Sequence, residues 1–278
     1  MIQIGAYNEL EIVKKVDFGV YLGVEDIEIL LPTKWIPAGA KIGDTINVFI
    51  FRDSDDRLIA TTVKPFAIAN TFAFLEVKQV NNTGAFLDWG MDKDLLVPFR
   101  EQATPMEEGK SYVVFVFEDE QSNRLIASSR LSRFIEREEI NLQEGDVVDL
   151  LIYSKTNLGY NAIINNLYSG LIYANEIFEN IRIGDQLKGF VKAIREDNKI
   201  DLSLQKSGFE LMDDAKWKIL NILKKENGFL ALNDSSSPEE VKAKLQMSKK
   251  AFKKAIGSLY RERLVVLTDK GVQLTQQN

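Results

Sequence analysis

Lys249, Lys250, Lys253 and Lys254 put four positive charges into six residues. Spacings of one and four place them on one face of a helix, opposite Phe252 and Ile256. Like charges at i,i+4 repel by about 0.2–0.5 kcal/mol per pair. No acid lies between Met247 and Arg261 to relieve them; a phosphate backbone would. A second basic set, Lys188, Lys192, Arg195, Lys199 and Lys206, falls in a stretch of alternating strands, offset by Glu196, Asp197 and Asp201. Alternation lets Lys188, Lys192 and Lys199 share a surface. Cations that track a phosphate backbone are the chemistry of nucleic-acid binding.

Catalysis has less to work with. The 278 residues include no cysteine and no histidine. Disulfides, Cys/His zinc sites, thiol nucleophiles and Ser-His-Asp arrangements are excluded. No GxxxxGK[ST] or GxGxxG stretch handles phosphate. Carboxylates cluster at Asp53, Asp55 and Asp56 and at Glu118, Asp119 and Glu120. Both clusters sit at the same turn of a repeat, and turn chemistry explains them better than a metal site. We therefore expect no catalytic residues, no metal, no cofactor and no enzymatic activity. Apolar residues are 45% and charged residues 27%, ordinary for a soluble globular chain. No run approaches the roughly 20 apolar residues of a spanning helix, and no secretory signal is visible. A cytoplasmic protein without a membrane partner is expected.

The elements that must position these groups repeat along the chain. Residues 10–22 and 75–87 are alike, with Gly19 and Gly84 at equivalent places. Ile29-Leu30-Leu31-Pro32 matches Leu95-Leu96-Val97-Pro98. Ile42-Gly43-Asp44 matches Glu108-Gly109-Lys110, and Arg57-Leu58-Ile59-Ala60 matches Arg124-Leu125-Ile126-Ala127. A third, diverged copy carries Gly159, Gly170-Leu171-Ile172-Tyr173, Ile183-Gly184-Asp185 and Ile200-Asp201-Leu202-Ser203. Each copy holds short alternating strands separated by polar turns. That pattern predicts a small closed five-stranded barrel, OB-type in preference to SH3-like.

From Phe209 the pattern turns helical. Residues 213–226 carry Trp217, Leu220 and Leu223 at helical spacing. Ser237-Pro238-Glu239-Glu240 is a helix start, with Ser at N-cap, Pro at N1 and Glu at N3. Ser248 can cap a third helix reaching about Tyr260. Strands at 264–267 and 272–274 then flank an Asp269-Lys270-Gly271 turn. Three helices and a hairpin make a winged-helix pattern, in preference to a helical cap on the last barrel. Net charge is −3 over residues 1–71, −5 over 72–140, −2 over 141–208 and +4 over 209–278. A polyanion should meet the C-terminal half first.

The repeated units resemble the S1 RNA-binding domain in Phe18-Gly19-Val20-Tyr21, in the Gly-Asp turns and in the closing Arg-Leu-Ile-Ala strands. Three such copies followed by a winged helix resemble the conserved virulence factor B family of bacterial RNA-binding regulators. The resemblance covers nearly the whole chain. It implies a mainly β fold with a C-terminal α+β module. Residues 1–71, 72–140 and 141–208 would be S1-type OB-fold barrels and 209–278 a winged-helix domain. It also implies that aromatics beside the motif glycine stack on bases, with Tyr173 where that family has histidine.

The expected function is single-stranded RNA binding without catalysis, in post-transcriptional regulation. The expected RNA surface is the third barrel and winged helix: Lys188, Lys192, Arg195, Lys199, Tyr160, Tyr173, Lys249, Lys250, Lys253 and Lys254. Phe18, Tyr21 and Phe86 are second choices; Trp89 is read as packing. Two alternatives stand. Duplex DNA could bind through the winged helix, although its third helix, up to Tyr260, lacks Arg, Asn and Gln for base readout. The acidic first two repeats could instead dock a basic protein partner.

Overall fold

The computed structural model describes residues 2–24, 27–53, 55–177, 180–205 and 209–275, with side chains of the last stretch described from Ala215 onward. Lys206, one of the anticipated cations, lies outside them. Contacts divide the chain into two compact units, Met1–Ile135 and Glu136–Asn278.

The first unit opens with β1 (Tyr7–Val16), β2 (Gly19–Val24), β3 (Ile27–Pro32), β4 (Thr45–Arg52) and β5 (Leu58–Thr61). They close a barrel in the order β1-β2-β3-β5-β4, completed by the parallel pair Leu30–Ile59. Alternation turns Ile12, Leu22, Ile29, Leu31, Ile50 and Ala60 inward, where all are buried. The motif glycine has a steric cause. A Cβ on Gly19 would lie 2.3 Å from the Leu31 carbonyl oxygen, so β2 and β3 can meet only at a glycine. The Gly-Asp turn also has one. Gly43 adopts a left-handed φ of 92° and donates its N–H to Ile12 O at 2.9 Å, where β1 bulges.

The second repeat forms β6 (Thr71–Val80), β7 (Gly84–Leu87), β8 (Leu95–Pro98), β9 (Ser111–Asp119) and β10 (Arg124–Ser128). Here the expected closed barrel does not form. The strands make a five-stranded sheet in the order β10-β9-β6-β7-β8, and no ladder joins β8 to β10 among the described residues. β8 stops after four residues at Pro98, and the next turn takes over its role. Ser129 N–H and the Ser128 hydroxyl both donate to Glu101 O, at 3.0 and 3.2 Å.

The two repeats are joined through their cores. Phe49 of β4 is fully buried in the core of the second repeat, edge-to-face on Trp89 at 5.8 Å. Ala69 N–H donates to Gly5 O at 2.7 Å, and Arg124 pairs with Asp56 at 2.6 Å. Trp89 therefore packs, as its place in the sequence suggests. Trp89→Ala is expected to cost the first unit about 3–5 kcal/mol, measured by chemical denaturation. A loss below about 1 kcal/mol would place the indole outside the core.

The second unit opens with β11 (Val147–Lys155), β12 (Gly159–Ile164), β13 (Tyr168–Tyr173), β14 (Gln186–Ile194) and β15 (Ile200–Ser203). They close a barrel in the same order as the first. The devices recur: Gly184 has φ 95° and donates to Ile152 O at 2.8 Å, beside the β11 bulge.

The winged-helix segment comprises α1 (Phe209–Lys225), β16 (Phe229–Leu230), α2 (Pro238–Leu245), α3 (Lys249–Arg261), β17 (Val265–Thr268) and β18 (Gly271–Leu274). The short β16, not anticipated, adds a third strand beside β18. The capping box forms as read: Glu240 N–H donates to Ser237 Oγ at 3.1 Å, and Ser237 N–H to Glu240 Oε2 at 2.7 Å. Ser248 caps α3 through Ala251 N–H at 3.1 Å. Phe252, Ala255, Ile256 and Leu259 face the core with Ile219 and Leu223 of α1. Trp217 departs from the expected apolar stripe. The stripe runs through Ala215, Ile219 and Leu223, one step round the helix, and leaves Trp217 62% exposed.

Candidate nucleic-acid interface

α3 presents a solvent face opposite its buried stripe. At 100° per residue, Lys250, Lys253, Lys254, Gly257 and Arg261 fall along one line. The four charged members are exposed. Lys253 Nζ lies 3.5 Å from Asp234; Lys250, Lys254 and Arg261 form no ion pair among the described residues. The helix runs one residue beyond the anticipated end, and Arg261 joins the row, its Nε donating to Gly257 O at 3.3 Å. Lys249 stands apart. It sits a step round the helix and is half-buried. Hydrogen bonds to Ser237 hold the Glu240 carboxyl below its usual range, and the field of Lys249 adds to this. Thus three of the four expected lysines share the open face and Lys249 lies off it.

The first turn of α3 contains no acid. Lys249 and Lys250 stand where the helix dipole already carries positive charge, an arrangement disfavoured by about 0.3–1 kcal/mol per group. An anion at this end would be attracted by both.

The third barrel holds its cations differently. Lys188 pairs with Asp149 and Lys199 with Asp197, both at 2.6 Å. Lys192 pairs with Glu176. Arg195 grips Asp201 through Nε and Nη2 at 3.1 and 3.0 Å, and Nη2 also donates to the Tyr173 hydroxyl. The Asp201 carboxylate raises the Arg195 pKa further. Each of the four anticipated cations therefore carries a carboxylate partner. Such exposed pairs are worth about 0–1 kcal/mol and can exchange for phosphate.

The anticipated tyrosines are not brought together. Gly159 pairs with Tyr173 and Asn161 with Leu171, which puts Tyr173 on the outer side of the barrel wall. Tyr160 is opposite Ile172 on the inner rank, half-buried against the core, with Lys155 Nζ 5.4 Å from its ring centre. Period-2 alternation separates the two rings, and one residue of register decides the side. Tyr173 instead joins Arg195 and Asp201.

In the first unit, Phe18 is 59% exposed at the turn into β2. Tyr21 lies half-buried on the outer face with Lys14 Nζ 5.6 Å from its ring centre. Phe86 is half-buried between Gln79 and Leu96 on neighbouring strands. Lys78 of β6 is held between Glu76 and Asp88 at 3.3 and 3.4 Å. Both rings beside Gly19 can thus stack, and Tyr21 already holds a cation on its face.

Two features were not legible beforehand. Trp217 lines a groove of about 660 Å³ with Leu220, Leu259, Leu264, Lys224 and Arg263. Arg263 adopts φ 59° as the residue after the α3 C-cap, where its N–H donates to Tyr260 O and the Leu264 N–H to Leu259 O. Glycine is usual there, and its absence hid this helix end. No group of three or more Asp and Glu that could hold a metal ion occurs among the described residues. No helix among them is long and apolar enough to cross a membrane.

Comparison with known proteins gives this arrangement its place. The S1 domain model matches residues 4–63 and 71–130, and the CvfB-like winged helix domain model matches 217–274. YitL of Bacillus subtilis is 28% identical over 92% of this chain and 88% of its own length. Conserved virulence factor B of Staphylococcus saprophyticus is 23% identical over 85% and 82%. A solved structure, a multidomain protein with nucleic acid binding domains from Streptococcus pneumoniae, is 25% identical and covers 98% of both chains, with a TM-score of 0.42. The chain thus carries S1 domains followed by a CvfB-like winged helix domain, and over most of its length it is similar to the conserved virulence factor B proteins.

Proposed function

We propose that this protein binds single-stranded RNA and acts, without catalysis, as a post-transcriptional regulator in the cytoplasm. The observation that carries this is the open row of Lys250, Lys253, Lys254 and Arg261, with one long ion pair among the four. Phosphate is the anion that satisfies several such cations in a row at once. The third barrel serves as a second binding surface, exchanging its carboxylate partners for phosphates, and Phe18 and Tyr21 as a stacking site in the first unit. Asp201→Asn should release Arg195 and strengthen RNA binding about two- to threefold. Titration of a labelled oligonucleotide checks this, and weaker binding would make the Asp201 pair part of the site.

The reading is tested by binding an unstructured RNA at several salt concentrations with duplex DNA as competitor. Micromolar or tighter binding that weakens steeply with salt supports it. Preference for the duplex would favour α3 in a DNA groove, a geometry that Arg261 makes better equipped than the sequence suggested. Absence of RNA binding at low salt would turn attention to a protein partner on the acidic first unit.

A further inference from the structure

Gly257 sits in the middle of α3, nine residues into a thirteen-residue helix. Glycine is among the poorest helix formers, and in a helix interior it needs a reason. The fold supplies none. A Cβ built at Gly257 meets nothing within 4 Å, so no neighbouring element requires the small residue. Its φ is not left-handed, so no turn requires it either. The contrast with Gly19, Gly84 and Gly159 is complete, since each of those lies against a backbone carbonyl that would collide with a Cβ.

Cations and one exposed ring surround Gly257. Half-exposed itself, it falls on the solvent line of α3 between Lys254, one turn before, and Arg261, one turn after, whose Nε donates to its carbonyl; Lys250, Lys253 and the exposed Tyr260 lie on the same side. A glycine at the centre of a basic helix face leaves a notch where another backbone can approach closely.

Resting on the RNA-binding reading, we infer that Gly257 is where the phosphodiester backbone of the bound strand crosses α3. The strand seats in the notch, one phosphate reaching Lys254 and the next Arg261, while Lys250 and Lys253 hold its flanks. The missing side chain sets how near the strand comes and therefore how many cations it reaches together. The glycine is a positioning residue for the backbone and reads no base.

Two substitutions in the full-length chain, Gly257→Ala and Gly257→Leu, separate this role from a structural one. Both side chains enter open space and improve the helix. The melting midpoint of the winged helix is expected to rise by about 4 °C with Ala. Affinity for an unstructured single-stranded RNA is expected to fall about fivefold with Ala and further with Leu. The slope of log K against log salt should shrink by about 0.7 for each phosphate that no longer reaches a cation. A raised midpoint with lowered affinity is the signature, because a folding defect moves both downward. Unchanged affinity and slope in both variants, while Lys250→Ala/Lys254→Ala binds weakly, would overturn this inference and leave RNA binding through α3 standing. Unchanged affinity in the lysine variant as well would overturn the α3 reading itself.

Discussion

Replacing Lys250, Lys253 and Lys254 together with alanine is expected to weaken single-stranded RNA binding by about 100-fold near 0.1 M salt, and to reduce the salt slope by about 2. Three cations release three phosphates, each worth about 0.7 of slope on a single strand. The fold should tolerate the change. All three side chains are exposed, and alanine is the better helix former. Removal of i,i+4 repulsion between Lys250 and Lys254 also favours the helix. Circular dichroism should therefore show an unaltered melting curve, or one shifted upward. Adding Lys249→Ala should cost less than each of the other three, because Lys249 is half-buried and lies off the open row. A salt slope that stays where it was in the triple variant would remove α3 from the RNA surface.

Gly159→Ala should be the most damaging small substitution in the third barrel. A Cβ there would lie 1.9 Å from the Ile172 carbonyl oxygen and 2.9 Å from Ala174 N. Neither atom can yield easily. Gly159 and Tyr173 are partners in the β12–β13 ladder, and Ala174 N–H donates to Leu158 O at 2.9 Å. The glycine φ of 153° adds a conformation that L side chains rarely adopt. The hairpin must separate at this end, at an expected cost of about 3 kcal/mol. Hydrogen exchange checks this: amides of β12 and β13 should lose protection while those of the first unit keep theirs. A substitution costing less than about 0.5 kcal/mol would mean that the two strands can part without loss. The same variant weighs the third barrel in binding. RNA affinity within twofold of the parent would leave the barrel a spacer, and a tenfold loss would make it a working surface.

Much of this architecture was legible because it is local. The repeated glycines mark close approach of β2 to β3 and its equivalents, and the Gly-Asp turns mark a left-handed corner bonded to a bulge. Both leave a residue type at a fixed spacing. Ser237 and Glu240 announce α2, and Ser248 announces α3, because a cap is a bond between residues three apart. Three of the four lysines expected on the open face of α3 followed from helical spacing; Lys249 lies off it. Where no such mark exists, reading fell short. Arg263 in a left-handed corner conceals the end of α3, and the truncated β8 conceals the missing edge of the second barrel. In that barrel the decision lies in Ser128 and Ser129 bonding to Glu101, residues nearly thirty positions away.

The repeat, the element types and the sign of the charge on α3 are written along the chain, since they depend on composition and on period within one segment. Which charges are available and which rings share a side come from how the segments pack. Lys188 and Lys192 are as basic in the chain as Lys250 and Lys254, yet the barrel brings the sequence-distant Asp149 and Glu176 against them, whereas Arg195 and Lys199 meet Asp201 and Asp197 locally, as their spacing suggests. Tyr160 and Tyr173 stand on opposite sides of one wall because a strand changes face with every residue. Availability is a property of the spaces between elements, and those are set by packing of distant segments, which no local spacing encodes.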